Sequence, residues 1–246
     1  VDAKTYGEAI ASIYDRLYPS PGEVEADFLA ALAAGGRALE LGVGTGRVAL
    51  PLLARGVEVH GVDSSPAMLA ELARKPGGAH VRATLGDMTD LERVPGGPFA
   101  LVYCVFNTFF QLPDGDAQLR CFASAARALA PGGAFVLDVF VPDLAAFSGG
   151  QAVRTFELGD RGSILETSRH DGARQRIEHN YFSLGEPVLP MVPVRFRYAW
   201  PSELDLMARL GGLRLRDRYA DWQWRPFDGA SRHHVSVYVT DPRPSR

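Results

Sequence analysis

The run Ala38-Leu39-Glu40-Leu41-Gly42-Val43-Gly44-Thr45-Gly46-Arg47 constrains this chain more than any other stretch. A short apolar segment with an acidic residue passes into a glycine-rich turn and then into a helix-like segment. Glycine suits such a strand-to-helix turn because it accepts backbone angles that other residues avoid, and it lets a ligand approach the main chain. The spacing narrows the ligand. A dinucleotide fingerprint reads G-x-G-x-x-G. Arg47 stands where its third glycine would be, and the glycine comes early at Gly46. The turn therefore reads as nucleotide-binding, with the pyrophosphate-binding version disfavoured.

Strands and helices alternate around this turn. Strands are expected at 38–41, 57–62, 81–85, 99–106 and 134–140, and helices at 46–54, 66–74 and 116–129. Ser65 is the expected N-cap of the second helix, with Pro66 at its first position. Phe99–Phe106 is apolar nearly throughout, as a parallel strand buried on both faces must be. The order implies an α/β fold with a Rossmann-like, doubly wound, mostly parallel sheet. Residues 1–35 read as amphipathic helices broken at Pro19 and Pro21. After about Asp143 the period shortens. Expected strands at 153–158, 163–170, 175–184 and 192–199 make an antiparallel β insertion. A helix at 202–210 and strands at 213–219 and 233–240 follow. The expected organisation is one domain: a helical lid (1–35), a core (36–142), the insertion (150–200) and a closing segment (201–246).

Composition excludes more than it assigns. The net charge is -3, and 46% of the 246 residues are hydrophobic. No block of one sign marks a nucleic-acid surface. No apolar run approaches the roughly 18 residues of a membrane span, and no secretion signal is visible. Cys104 and Cys121, both in apolar surroundings, read as buried thiols, which fits a reducing, cytoplasmic setting. Metal ligation is not expected: His233 and His234 are adjacent, so they alternate faces on a strand.

In a doubly wound sheet, ligands bind beyond the carboxyl ends of the strands. Glu40, Gly42, Gly44, Gly46 and Arg47 follow strand one, Asp63 and Ser64 strand two, Gly86-Asp87-Met88 strand three, and Asn107 strand four. Asp63 lies 21 residues after Gly42, a spacing that suits a carboxylate accepting from ribose hydroxyls. Asp87 can accept from an adenine amine, with Met68 and Met88 against the ring. Arg47, at a helix start, can pair with a ligand carboxylate.

These motifs resemble the class I S-adenosylmethionine (SAM) dependent methyltransferases, and among them bacterial small-molecule enzymes of secondary metabolism and amino-sugar type. Leu39–Arg47 resembles motif I, Gly61–Met68 (GVDSSPAM) the ribose-binding motif, Gly86–Met88 the adenine-contacting motif, and Phe99–Asn107 motif IV. The resemblance implies SAM as cofactor, S-adenosylhomocysteine as product, and a lid in which Tyr14 of Tyr14-Asp15-x-x-Tyr18 touches the cofactor. It also places Cys104 at the cofactor. The Pro-Pro-Tyr and Pro-Cys signatures of nucleic-acid enzymes are absent, so a small-molecule acceptor is expected. Asn107 and Gln111 are the candidate positioning groups for methyl transfer. Tyr18, Phe109, His179, Tyr181, Arg197 and Tyr198 are the candidate acceptor contacts. Amino-sugar enzymes tend to carry a histidine near the place of Gln111. Two rivals remain at this level: a catalytically silent SAM-binding or dimerisation module, and an NAD-dependent oxidoreductase. Exposed strand edges in the insertion would permit a homodimer.

Overall fold

Five parallel strands build the amino half: β1 (Ala38–Leu41), β2 (Val59–Asp63), β3 (Arg82–Leu85), β4 (Phe99–Cys104) and β5 (Leu129–Phe140). Two more, β10 (Leu213–Tyr219) and β11 (His233–Thr240), complete a seven-stranded sheet in the order β3-β2-β1-β4-β5-β11-β10. Only β11 and β10 enter by antiparallel pairing. The sheet order reverses between β1 and β4, which opens a crevice at the carboxyl end of β1. The computed structural model describes residues 3–20, 22–157, 162–185 and 193–240. The expected break at Pro21 and the expected strand ends at Leu158 and Val192 lie outside these residues.

Helices cover both faces. Period-two alternation splits the central strands between two apolar clusters. Leu39, Leu41, Val102 and Phe135 pack with α6 (Gly115–Ala128) and α7 (Pro201–Leu210). Ala38, Leu101, Tyr103 and Val136 pack with α3 (Glu23–Ala33) and α4 (Ala49–Ala54). Between β2 and β3 lies α5 (Pro66–Arg74), where Ser65 Oγ accepts from the Met68 N–H at 3.2 Å as expected of its cap. Two short helices, α1 (Ala3–Ile10) and α2 (Tyr14–Leu17), lie over the carboxyl edge.

The insertion is a second sheet, β6 (Gln151–Glu157), β7 (Gly162–Asp171), β8 (Arg176–Gly185) and β9 (Val194–Arg197), antiparallel in that order. Ile177 and Tyr198 belong to the same apolar cluster as α6 and α7, so its core is continuous with the main sheet.

Several boundaries differ from expectation, and three of them have a clear local cause. The first helix starts at Ala49, not Gly46, because Gly46 sits at φ +81° and continues the turn. The fourth strand stops at Cys104, because Phe106 and Asn107 turn left-handed at φ +59° and +63°. The fifth begins at Leu129, with Pro131-Gly132-Gly133 inside it. There the pairing jumps from Phe99–Leu129 to Leu101–Ala134, and the intervening residues bulge outward.

Candidate active site

The three motif glycines all have positive φ, but they serve different ends. A Cβ on Gly42 would lie 2.5 Å from Thr108 Cγ2, and one on Gly46 2.5 Å from Leu72 Cδ1. Those two are packing glycines. A Cβ on Gly44 would meet nothing nearer than 4.0 Å and would project into open cleft, so this glycine leaves room for a ligand against the backbone.

Asp63, at the end of β2, fixes that turn. Its Oδ2 accepts from the Gly44 N–H at 2.8 Å and its Oδ1 from the Ser65 N–H at 2.9 Å. Burial raises its pKa, against the pull of the Ser65, Gly44 and Ser64 N–H groups. Glu40 lies deeper. Burial pushes its carboxyl up to about 8, and Tyr103 donates its hydroxyl proton to Oε2 at 3.0 Å.

The lid is tied to the same motifs. Thr45, within the glycine turn, donates its hydroxyl to Asp15 Oδ1 at 2.7 Å, and Lys75 Nζ pairs with Asp15 Oδ2 at 2.7 Å. Ser65 Oγ donates to Glu8 Oε1 at 2.9 Å. These contacts set Tyr14 and Tyr18 over the cleft. Their rings are 4.9 Å apart, and Tyr18 meets Phe106 edge-on at 5.0 Å.

Beyond β4, Asp138 holds the strained turn. It accepts from the Phe106 N–H at 2.7 Å through Oδ2, and His233 Nε2 is 2.7 Å from Oδ1. Asn107 Oδ1 accepts from the Phe140 N–H at 2.8 Å, which leaves the amide NH2 group as its free donor.

One cleft of about 1340 Å³ runs from the glycine turn to the inner face of the insertion. Tyr14, Gly42, Gly44, Asp63, Ser64, Met68, Gly86, Asp87 and Met88 line one half, with Asn107 and Gln111 at the middle. Tyr18, His179, Tyr181 and Arg197 reach the other half. Six expected contacts lie elsewhere. Cys104 and Phe109 are fully buried in the core between the sheet and α6. Gly46 packs on Leu72, and Glu40 is enclosed with Tyr103. Arg47 pairs with Glu25 at 2.8 Å and covers the Phe106 ring at 4.7 Å, so its charge is already partnered. Tyr198 is buried, with its hydroxyl 2.9 Å from His170 Nε2. Arg197 lines the cleft, but its guanidinium is engaged by Gln118, Gln175 and Glu203.

Tyr6, Phe106, Glu166 and Ser168 line the cleft without having been expected to. Glu166 and Ser168 share the β7 face of His170 by alternation, a pattern legible once one of the three is placed at a site. Tyr6 looks like any apolar residue of an amphipathic helix. Cys104 and Cys121 are free, buried thiols. Among the described residues no cluster suits a metal ion, and no helix is long and apolar enough to cross a membrane.

A doubly wound sheet whose β1 turn carries no third dinucleotide glycine, and whose β2 carboxylate is bonded back to that turn under a helical lid, defines a class I SAM-dependent methyltransferase. Comparison with known proteins agrees. Residues 38–133 match the methyltransferase domain family. A cypemycin N-terminal methyltransferase from Streptomyces sp is 30% identical, over 96% of this chain and 98% of the relative. The CcbJ methyltransferase from Streptomyces caelestis is 42% identical and superposes with a TM-score of 0.90, over 98% of this chain and 99% of that one. An amino pentose methyltransferase from Micromonospora echinaspora, solved with SAM bound, shares the fold at 23% identity and a TM-score of 0.66, over 93% and 97%. The chain belongs to the SAM-dependent methyltransferases, and SAM is its cofactor.

Proposed function

We propose that this enzyme methylates a nitrogen or oxygen of a small natural-product or sugar-like acceptor. The observation that carries this reading is the single cleft joining the glycine turn to the inner face of the insertion. A silent binding module would be expected to close that space. The cypemycin N-terminal methyltransferase from Streptomyces sp, similar over nearly the whole chain, favours nitrogen, because the N-terminus of a peptide is an amine.

Within that cleft Asp63 would hold the ribose hydroxyls, Asp87 the adenine amine, and Met68 and Met88 the ring. Tyr14 would close over the cofactor. When bound, SAM supplies a methyl group on positively charged sulfur, and the aromatic walls at Tyr14, Tyr18 and Phe106 tolerate that charge. Asn107, through its free NH2, and Gln111 would orient the acceptor for in-line attack. Among the described residues β6 is the outer strand of the insertion and exposes Val153 (68%) and Phe156 (44%), which supports self-association there.

The test begins with calorimetric titration of SAM and S-adenosylhomocysteine, with NADH as control. Micromolar binding of both sulfur nucleotides is expected, followed by a screen of amines and matched alcohols for the mass gain of one methyl. Tight NADH binding without SAM binding would restore the oxidoreductase reading. Changing Asn107 and Gln111 together to alanine should lower turnover at least tenfold. A loss below about threefold would remove them from positioning the acceptor.

A further inference from the structure

One carboxylate at the acceptor end, Glu166, is left without a role by these assignments. Glu166 is only 6% exposed, yet it faces the cleft from β7. The register sets Tyr181 of β8 directly across from it, and His179 across from Ser168. Ser168 Oγ lies 3.1 Å from Glu166 Oε1 and 2.7 Å from His179 Nδ1, and Nδ1 lies 3.3 Å from Oε1. Tyr181 hydrogen-bonds the same carboxylate. From the lid, the Tyr6 hydroxyl is 3.4 Å from that of Tyr18, and Tyr18 is close enough to feel the Glu166 charge. Arg154 of β6 stands opposite Glu166 in register, but its side chain is exposed and forms no ion pair with it among the described residues.

A buried carboxylate without a guanidinium partner is costly unless something else carries the compensating charge. Burial raises the pKa of Glu166, but the bond and the charge of His179, then the bonds from Ser168 and Tyr181, outweigh it and leave the pKa lowered. Tyr181 bonds that carboxylate, Tyr18 lies within range of its charge, and Tyr6 stands behind Tyr18. A carboxylate in a cleft walled by aromatic side chains suits an ammonium ligand.

Building on the methyl-transfer reading, we propose that Glu166 with Tyr6, Tyr18 and Tyr181 binds the acceptor as a protonated amine, and that His179 takes the proton released before methyl transfer. The serine hydroxyl has one proton and two claimants. With His179 neutral, the hydroxyl donates to Nδ1. With Nδ1 protonated, the imidazolium donates to the hydroxyl, which turns to Glu166. The N–H bond of the bound ammonium breaks, and its electron pair stays on nitrogen as the nucleophile. The proton passes to the Glu166 carboxylate and on to His179 Nδ1. The N–CH3 bond then forms as the carbon–sulfur bond of SAM breaks, its electron pair going to sulfur. Nothing else is consumed.

The full chain loaded with S-adenosylhomocysteine is titrated with benzylamine and with benzyl alcohol. The wild type is expected to prefer benzylamine at least tenfold. E166Q should lose that preference while its affinity for benzyl alcohol and S-adenosylhomocysteine stays within about twofold. No amine preference in the wild type, or equal loss of both probes in E166Q, overturns the proposal. On the amine found in the methyl-gain screen, H179N should turn over at least tenfold more slowly than the wild type, with KM within about threefold. Turnover of H179N within about threefold of the wild type removes His179 from the proton path. Failure of the wild type to bind S-adenosylhomocysteine would defeat the methyl-transfer reading. Intact nucleotide binding without amine preference defeats only this inference.

Discussion

Asp63 both shapes the glycine turn and faces the ligand, so its removal acts twice. Asp63→Ala leaves the N–H groups of Gly44 and Ser65 without their acceptor and deletes the proposed ribose contact. The expected loss of S-adenosylhomocysteine affinity is tenfold or more, about 1.4 kcal/mol or above. Calorimetry showing less than a threefold change would mean that the turn binds nucleotide without it. Glu40 makes the opposite case, a residue whose charge the fold opposes. Its carboxyl moves from 4.5 to about 8 on burial. An acid with a raised folded-state pKa gives its full stability below the unfolded value and loses it as pH rises through the folded one. Glu40→Gln keeps an acceptor for the Tyr103 hydroxyl and removes that loss. The variant should melt higher than wild type at pH 8.5 and equally at pH 4.5, with a gain on the order of a few kcal/mol.

At the scale of elements, two polar knots hold the cleft together. Arg197 joins β9 to α6 through Gln118 Oε1 at 2.8 Å and to α7 through Glu203 Oε1 at 2.6 Å. Arg197→Ala would strand both partners in a largely enclosed site. Destabilisation of about 3 kcal/mol is expected by chemical denaturation, and proteolysis should begin in the insertion. The expected acceptor contact at Arg197 is thus better explained as the bolt between the insertion and the helices. On the other side, Asp15 links the lid to Thr45 and Lys75. Asp15→Ala should leave the core melting temperature within a few degrees. It should speed cleavage of the amino-terminal helices and weaken nucleotide binding by about tenfold, the worth of one or two such bonds. Unchanged cleavage would show that apolar packing of Ile10, Ala11 and Met68 holds the lid by itself.

Across the whole molecule, two buried groups pull stability in opposite directions. Burial first, then the charges of Arg218 and His233, lower the His234 pKa from 6.5 to about 3. A depressed histidine contributes stability above its unfolded value, and that stability is lost as pH falls toward the folded one. Glu40 loses stability as pH rises from 4.5 to about 8. Between pH 4.5 and 6.5 the two slopes cancel. Taken by themselves, these two groups leave the melting temperature flat in that window and lower it on either side. A maximum at pH 8 or above would contradict these assignments. The exposed β6 edge leads to a further expectation, sedimentation at twice 26.7 kDa, shifted to monomer by a charged residue at Val153. A wild-type monomer at micromolar concentration would show that the edge stays unpaired.

The sequence by itself determined the order of strands and helices and the place of the glycine turn, because period and turn chemistry are local properties. It also placed Asp63, Asp87 and Asn107 at strand ends, where a doubly wound sheet gathers ligands. Only the tertiary structure decided which of these residues face the cleft. Cys104 and Phe109 sit at a strand end and in the turn beyond it, yet packing against α6 turns both into the core. Arg47 has the right charge and position, but Glu25 from another helix neutralises it. Glu166, unremarkable in its strand, becomes a buried charge at the cleft because β8 across the hairpin sets Tyr181 beside it and the lid, distant in sequence, brings Tyr18 near. Such placements depend on which side chains from remote elements compete for each partner, and no local pattern encodes that competition.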